Sequence, residues 1–363
     1  MLTKSFFTTL LLFYVDTIVI LRDIIMLCII QKRIIQKSYC LTRQFTSKVI
    51  CCQLNQPEKH ILQSDSNFTS IQRDPTFLKI AIIGAPNAGK STLINNLINR
   101  SICPTSSKVH TTQVKCDAVY SSENTQLVFI DTPGLITQKE QKKYKLSSSY
   151  EKDPKISTHI ADIVGVVHDV SNRYTRNKLN NNILDLLKAL KSDTPTLLIM
   201  NKIDQVKHKD RLLEIIKVLT NKTNWPHFSD VFLISALTSD GIDSLREYLI
   251  SSAKPKAWQY NEDTYTDQSL ETIIQQTVRA KLMDFLPQEI PYISRSVLEY
   301  LKIYSEGGIC ASIIIELPNK KKSSIVIGQR AKRIKFIVQE CEKELQYALR
   351  APVKLKICVK SKK

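Results

Sequence analysis

The sequence predicts a doubly wound, mostly parallel α/β domain followed by a smaller α+β module. Three observations predict it. Residues 79–83, 127–130, 196–200 and 231–234 are short, continuous apolar runs, the pattern of strands buried on both faces of a parallel sheet. Each run stops at a polar turn that carries a motif, so binding residues gather at the strand carboxyl ends. After residue 270 the pattern changes to an amphipathic helix, alternating strands and a long helix, enough chain for a small second domain.

Residues 1–75 precede both domains. Residues 5–30 are apolar, but Asp16, Arg22 and Asp23 interrupt them, so no uncharged run reaches the roughly 20 residues of a spanning helix. Residues 31–56 carry Lys32, Arg33, Lys37, Arg43 and Lys48 and no acid, which is transit-peptide composition. Translation from Met26 rather than Met1 would make Met26-Leu-Cys-Ile-Ile-Gln-Lys-Arg-Ile-Ile35 a basic amphipathic presequence. Residues 55–75 read as a polar linker.

Residues 76–253 make up the α/β domain. Its first strand leads into Gly84, Ala85, Pro86, Asn87, Ala88, Gly89, Lys90 and Ser91, then Thr92 and a helical pattern to Ile98. This is the phosphate-loop pattern G-x-x-x-x-G-K-[ST] in its required strand–loop–helix context. Its glycines let backbone N–H groups curl around phosphate oxygens, Lys90 neutralises the β- and γ-phosphates, and the Ser91 hydroxyl suits Mg²⁺. The second strand ends in Asp131, Thr132, Pro133 and Gly134, whose carboxylate completes the Mg²⁺ shell. The third ends in Asn201, Lys202, Ile203 and Asp204. A carboxylate at Asp204 can accept from guanine N1–H and the 2-amino group together, a donor pair that adenine lacks. The fourth ends in Ser235, Ala236 and Leu237, where the Ala236 N–H could meet guanine O6. In this order the four motifs predict a GTP-binding and GTP-hydrolysing domain.

Between the phosphate loop and Asp131 lies Lys108-Val-His-Thr-Thr112. One threonine, Thr112 in preference to Thr111, is expected to reach the Mg²⁺ when a γ-phosphate is present, with Gly134 on the second responsive loop. Leu135 stands where glutamine-dependent GTPases orient the attacking water, and leucine cannot do so. Hydrolysis then waits for a partner or for another water-positioning group. Asn87 reads either as a helper for a monovalent cation beside the phosphates or as an ordinary turn residue.

Residues 254–269 read as an interdomain linker, and residues 270–363 as the second module. Leu270, Ile273, Ile274, Val278, Leu282 and Phe285 share one helical face. Residues 309–317 and 324–327 read as strands joined by a basic turn, 330–349 as a helix and 353–359 as a last strand. With Gly328 at a strand-to-helix turn, this has the shape of a type II KH domain, which clamps single-stranded RNA. The signature turn is Gly-x-x-Gly, whereas here Gly328, Gln329, Arg330 and Ala331 occupy it, and loss of the second glycine removes positive-φ freedom. Arg330, Lys332, Arg333 and Lys335 could compensate by charge.

The formal net charge is +18, and residues 318–363 hold 14 Lys/Arg against 3 Glu. That bias points to a polyanion, either nucleic acid or an anionic membrane. The nine cysteines include no C-x-x-C pair, so the spacing supports neither a zinc motif nor a disulfide framework, and a reducing compartment is the simplest reading.

Together with Asp169-Val-Ser-Asn-Arg-Tyr-Thr-Arg-Asn177, Trp225-Pro-His-Phe228 and Leu286-Pro-Gln-Glu-Ile-Pro-Tyr292, these motifs resemble the Era family, in particular its animal mitochondrial members. The resemblance spans roughly residues 76–360. It implies a GTP/GDP switch that binds the 3′ region of small-subunit rRNA and assists assembly of the mitochondrial small ribosomal subunit. It also implies a monomer in the mitochondrial matrix, or peripheral on the inner membrane. A hydrophobic residue at Leu135 is then normal, and Asn87 would support K⁺-stimulated hydrolysis. The rival reading is a membrane-associated GTPase using the apolar N-terminus and basic surface on anionic lipid.

Overall fold

The computed structural model describes residues 74–106, 108, 115–135, 149–191, 193–287 and 289–361. The expected targeting segment, both candidate start methionines, Thr111 and Thr112 lie outside the described residues.

The α/β domain contains β1 (Thr76–Gly84), α1 (Lys90–Ile98), β2 (Cys116–Ser122), β3 (Thr125–Asp131), α2 (Ser149–Ile160), β4 (Ile163–Asp169), α3 (Asn181–Lys188), β5 (Thr196–Asn201), α4 (Asp210–Leu219), β6 (Asp230–Leu233) and α5 (Ile242–Ser251). The sheet order is β2-β3-β1-β4-β5-β6, antiparallel between β2 and β3 and parallel elsewhere. Alternation along β1 explains the two layers of core. Leu78, Ile80 and Ile82 pack with Leu93 and Leu97 of α1 and Leu245 of α5; Ala81 and Ile83 pack on the other face with Leu187 of α3 and Ile215 of α4. Because β1 has β3 on one side and β4 on the other, winding reverses at its carboxyl end, where α/β sheets bind ligands.

Residues 254–269, expected as a linker, are strapped to this sheet. β7 (Lys254–Pro255) pairs antiparallel with the start of β1. The Trp258 indole donates to the carbonyls of Thr76 (3.1 Å) and Asn124 (3.2 Å). Buried Gln126 accepts from the Gln259 and Tyr260 N–H groups, both at 3.0 Å, and donates to Tyr260 O at 2.9 Å. Satisfying a buried amide in this way holds the strap in one register.

The second module runs α6 (Leu270–Phe285), α7 (Ile290–Ile293), β8 (Arg295–Ile303), β9 (Ile309–Leu317), α8 (Lys320–Ile327), α9 (Lys332–Leu349) and β10 (Val353–Ser361). Its sheet is β10-β9-β8, with β9 parallel to β10 and antiparallel to β8. Alternate residues of β9 (Ile309, Ala311, Ile313, Ile315, Leu317) meet Ile274 and Val278 of α6 and Ile337 and Cys341 of α9 in a separate core.

One expectation is corrected here, and one strand is added. The stretch read as a strand over 324–327 is the end of helix α8, so Gly328 joins two helices, not a strand to a helix. Asn319 caps α8, its side chain accepting from the Lys322 N–H at 3.0 Å, a contact worth about 1 kcal/mol. That cap, with Val326 buried against the core, outweighs the β preference of Ile325, Val326 and Ile327. Strand β8 went unread, because Glu299 and Lys302 dilute its pattern and a bulge between Leu298 and Tyr300 shifts its register.

Candidate functional site

The phosphate loop leaves β1 at Gly84 and enters α1 at Lys90. Gly89 needs glycine on two counts: its φ is +93°, and a Cβ there would sit 2.2 Å from Asn201 Nδ2. Asn87 also takes a left-handed conformation (φ 59°) and is exposed on the loop. Pro86, Asn87, Gly89, Lys90, Ser91, Thr92, Pro104, Thr105, Ser106 and Gly134 line an open cleft. Ala85 is half-buried, and buried Ala88 closes the turn by donating to Ala85 O at 3.3 Å. Gly134 brings the two loops together, since a Cβ on it would lie 2.9 Å from Pro86 Cα.

Lys90 Nζ donates to the carbonyls of Ala85 (3.1 Å) and Gly84 (3.4 Å). Burial lowers its pKa to about 8, against the pull of the Asp131 carboxylate. The Ser91 hydroxyl donates to Asp131 Oδ2 at 2.8 Å. A hydroxyl and a buried carboxylate that close are hard oxygen donors suited to one Mg²⁺. Thr132 is fully buried, and its hydroxyl anchors the loop by donating to Ile82 O at 2.9 Å; Pro133 is buried beside it. The Leu135 N–H donates to Gly84 O (3.2 Å), while its side chain is 6% exposed among Ala81, Ile83 and Ile130. That side chain is committed to the core and cannot position a water.

Asn201 does more than the sequence disclosed. Its Nδ2 donates to Ala88 O (2.8 Å), and its Oδ1 accepts from the N–H groups of Lys202 (2.8 Å) and Ala236 (2.9 Å). One buried amide thus ties the phosphate loop to both base-side motifs. The Ala236 N–H, expected to meet guanine O6, is taken by this bond. Lys202, at φ 67°, reaches back to Asp169 Oδ2 (2.5 Å). Burial alone would raise the Asp169 carboxyl, but hydrogen bonds from Lys202 and Ser171 bring it below its ordinary value. Ile203 is buried and Asp204 exposed on the next turn; Ser235 is buried and Leu237 is 77% exposed.

Replacing Asn201 by alanine is expected to cost about 3–5 kcal/mol of stability, because three backbone groups, two of them fully buried, lose their partner at roughly 1–3 kcal/mol each before relaxation. Nucleotide affinity should fall with it. Asn201→Asp keeps an acceptor for both N–H groups but sets a buried carboxylate oxygen against the Ala88 carbonyl, and should lose at least as much. Denaturant unfolding of the two variants checks the order.

The candidate RNA residues follow α8. Gly328 (φ 72°), Arg330 (φ 48°) and Ala331 (φ 58°) are all left-handed. The missing second glycine therefore does not prevent the turn; Ala331 adopts it at a strain of about 1–2 kcal/mol. Gln329, Arg330, Lys332 and Lys335 are exposed. Arg333 is engaged already, its guanidinium donating to Ile325 O at 2.5 Å to close the end of α8.

The sequence also missed the contacts between the two cores. Arg100 donates to Ala348 O (3.2 Å) and covers the Tyr265 ring at 4.4 Å, and Ser101 donates to Glu344 Oε1 (3.0 Å). Ser106 donates to Asp284 Oδ1 (2.7 Å), and Lys108 Nζ to Leu286 O (2.6 Å).

Residues 79–202 match the family model described as "50S ribosome-binding GTPase". Fold and site together define a P-loop GTPase with a KH-like second domain. The chain is 34% identical over 376 residues to the mitochondrial GTPase Era of Danio rerio, covering 88% of this chain and 83% of the relative. It is also 33% identical over 281 residues to GTPase Era of Ehrlichia ruminantium, covering 77% and 90%. The chain belongs to the Era family of GTPases, and it hydrolyses GTP. Among solved structures it is similar to Era in complex with MgGDPNP and nucleotides 1506–1542 of 16S ribosomal RNA, with TM-score 0.68 and 26% identity over 79% of this chain and 94% of that one. An Aquifex aeolicus Era variant bound to GDP·AlF₄⁻ is similar at TM-score 0.68 and 25% identity, with the same coverage.

Proposed function

We propose that this protein is a GTP-controlled RNA-binding switch that assists assembly of the mitochondrial small ribosomal subunit. The observation that carries this reading is the continuity of the nucleotide cleft with the second module. Pro104, Thr105 and Ser106 line the cleft, and Ser106 and Lys108 bond directly to the end of α6. A change in that segment on γ-phosphate loss is thereby felt by the KH-like module. The mitochondrial relatives support the compartment, and the Era–rRNA complex supports the 3′ region of small-subunit rRNA as the ligand class.

Mg²⁺, held by Ser91, Asp131 and Thr112, would screen the phosphate charge and order the loop carrying Thr112. Lys90 gives up its carbonyl contacts for the β- and γ-phosphates and stabilises charge developing on them. Backbone N–H groups of residues 85–92 add fixed donors. Asp204 selects guanine, and Asn201 holds its turn against the phosphate loop. Asn87, exposed on the loop, is the residue to hold K⁺, which would add positive charge beside the phosphates. Among the described residues no helix is long and apolar enough to cross a membrane.

The test is binding of a 3′ small-subunit rRNA fragment to the full chain over a salt series. Each phosphate contact contributes about 0.7 to the slope of log affinity against log salt for single strands. Arg330, Lys332 and Lys335 changed together to alanine should lower the slope by about 2 and weaken binding at every salt concentration. Undiminished binding would remove the RNA role from this turn, and equal affinity of the GTP and GDP forms would remove the switch.

A further inference from the structure

Cys103 follows the exit turn of α1, and Cys116 opens β2 directly opposite Asp131 in the β2–β3 register. The two residues bracket the segment that lines the cleft and carries Thr112. Their sulfurs face each other at 3.8 Å, each residue is 1% exposed, and the nucleotide chemistry uses neither. Both sulfurs and an Asp131 carboxylate oxygen lie within 4.8 Å of one another.

Two buried thiols in a core usually behave as small hydrophobes. Here the spacing and the third donor argue otherwise. Two thiolates bound tetrahedrally at about 2.3 Å from one zinc ion stand roughly 3.8 Å apart, and a carboxylate oxygen joins at about 2.0–2.2 Å. Thiolates select zinc-class cations over Mg²⁺. We propose that Cys103, Cys116 and Asp131 form a site for a thiophilic divalent cation whose occupancy excludes the Mg²⁺ use of Asp131. On binding, the two thiols release two protons to solvent and the cation takes two thiolates and one carboxylate, leaving a fourth position for water or the Ser91 hydroxyl. Asp131 is then withdrawn from the catalytic cation, and both ends of segment 104–115 are pinned together. The site inhibits GTP turnover, whatever RNA the second module binds.

The test uses the full chain, kept reduced with a non-thiol reductant so that no disulfide forms. Co²⁺ alone is the spectroscopic probe. One equivalent should produce sulfur-to-cobalt charge transfer and the visible bands of a tetrahedral ion, both displaced by Zn²⁺ and both absent from the variant carrying Cys103→Ala and Cys116→Ala. Equimolar Zn²⁺ should lower GTP turnover at least about tenfold in the wild type, reversibly on chelation, and leave that variant unaffected. If the alanine pair does not fold, Cys116→Val, which suits the head of a strand, must lose the cobalt bands by itself. Bands that persist in the variants, their absence from the wild type, or zinc inhibition that survives removal of both thiols would overturn the site.

Discussion

Lys90→Ala is expected to lower single-turnover GTP hydrolysis by about 10³-fold while leaving the fold intact. A single neutral donor aimed at developing charge in a water-excluded site is worth about 10²–10³ in rate, and Lys90 brings a full charge. Lys90 is 6% exposed, and its ammonium donates to two carbonyls of the loop, contacts it gives up on binding phosphate. The same burial supplies a control. The folded-state pKa of about 8 lies below the ordinary value of 10.5, so between these limits the unfolded chain holds more protons than the folded one. Stability of the nucleotide-free wild type should therefore rise with pH from about 8 towards 10, through this group. Lys90→Ala should lack that rise and be no less stable at neutral pH. Chemical unfolding at pH 7, 8.5 and 9.5 measures it. Substantial hydrolysis in a folded Lys90→Ala protein would move the phosphate chemistry elsewhere.

Asp204→Asn is expected to weaken GTP by about 10²–10⁴-fold, the loss of two hydrogen bonds to a charged acceptor at roughly 1.5–3 kcal/mol each. The sharper measurement compares GTP with ITP, which keeps N1–H and lacks the 2-amino group. The wild type should prefer GTP by about 10–100-fold, the value of one such bond, and Asp204→Asn should bind the two nearly alike. Asp204 is exposed on a turn whose neighbour, Ile203, donates to Ile234 O at 3.3 Å, so the substitution leaves the supporting contacts untouched. A retained preference for GTP over ITP would take base reading away from this carboxylate.

Legibility in the sequence followed the range of each interaction. The phosphate loop could be read because much of its geometry is local: Gly89 supplies a φ of +93°, and Lys90 donates to carbonyls five and six residues back. β1, β3 and β5 could be read because strands buried on both faces need unbroken apolar runs. Helix α8 was misread because three β-branched residues dominate a local reading, while burial of Val326 against β9 and β10 is decided by tertiary contact. Asn201 was legible as a base-side residue and illegible as the tie to Ala88, a contact across 113 positions. The contacts of Ser106 and Lys108 with α6 each span 178 positions and leave no periodic signal.

By itself the sequence determined a GTP-binding α/β domain, its strand order of motifs and a basic second module, because each depends on residues that are neighbours in the chain. Only the tertiary structure decided that residues 254–269 are strapped to the sheet, that Ala331 takes the left-handed turn without glycine, and that the cleft bonds directly to α6. It alone set Cys103, Cys116 and Asp131 within 4.8 Å of one another, where spacing along the chain shows no metal motif. The physical reason is common to all of them. Backbone conformation and amphipathic pattern are encoded within a few residues, whereas the pairing of a buried polar group or thiol depends on which distant segment packing brings to it.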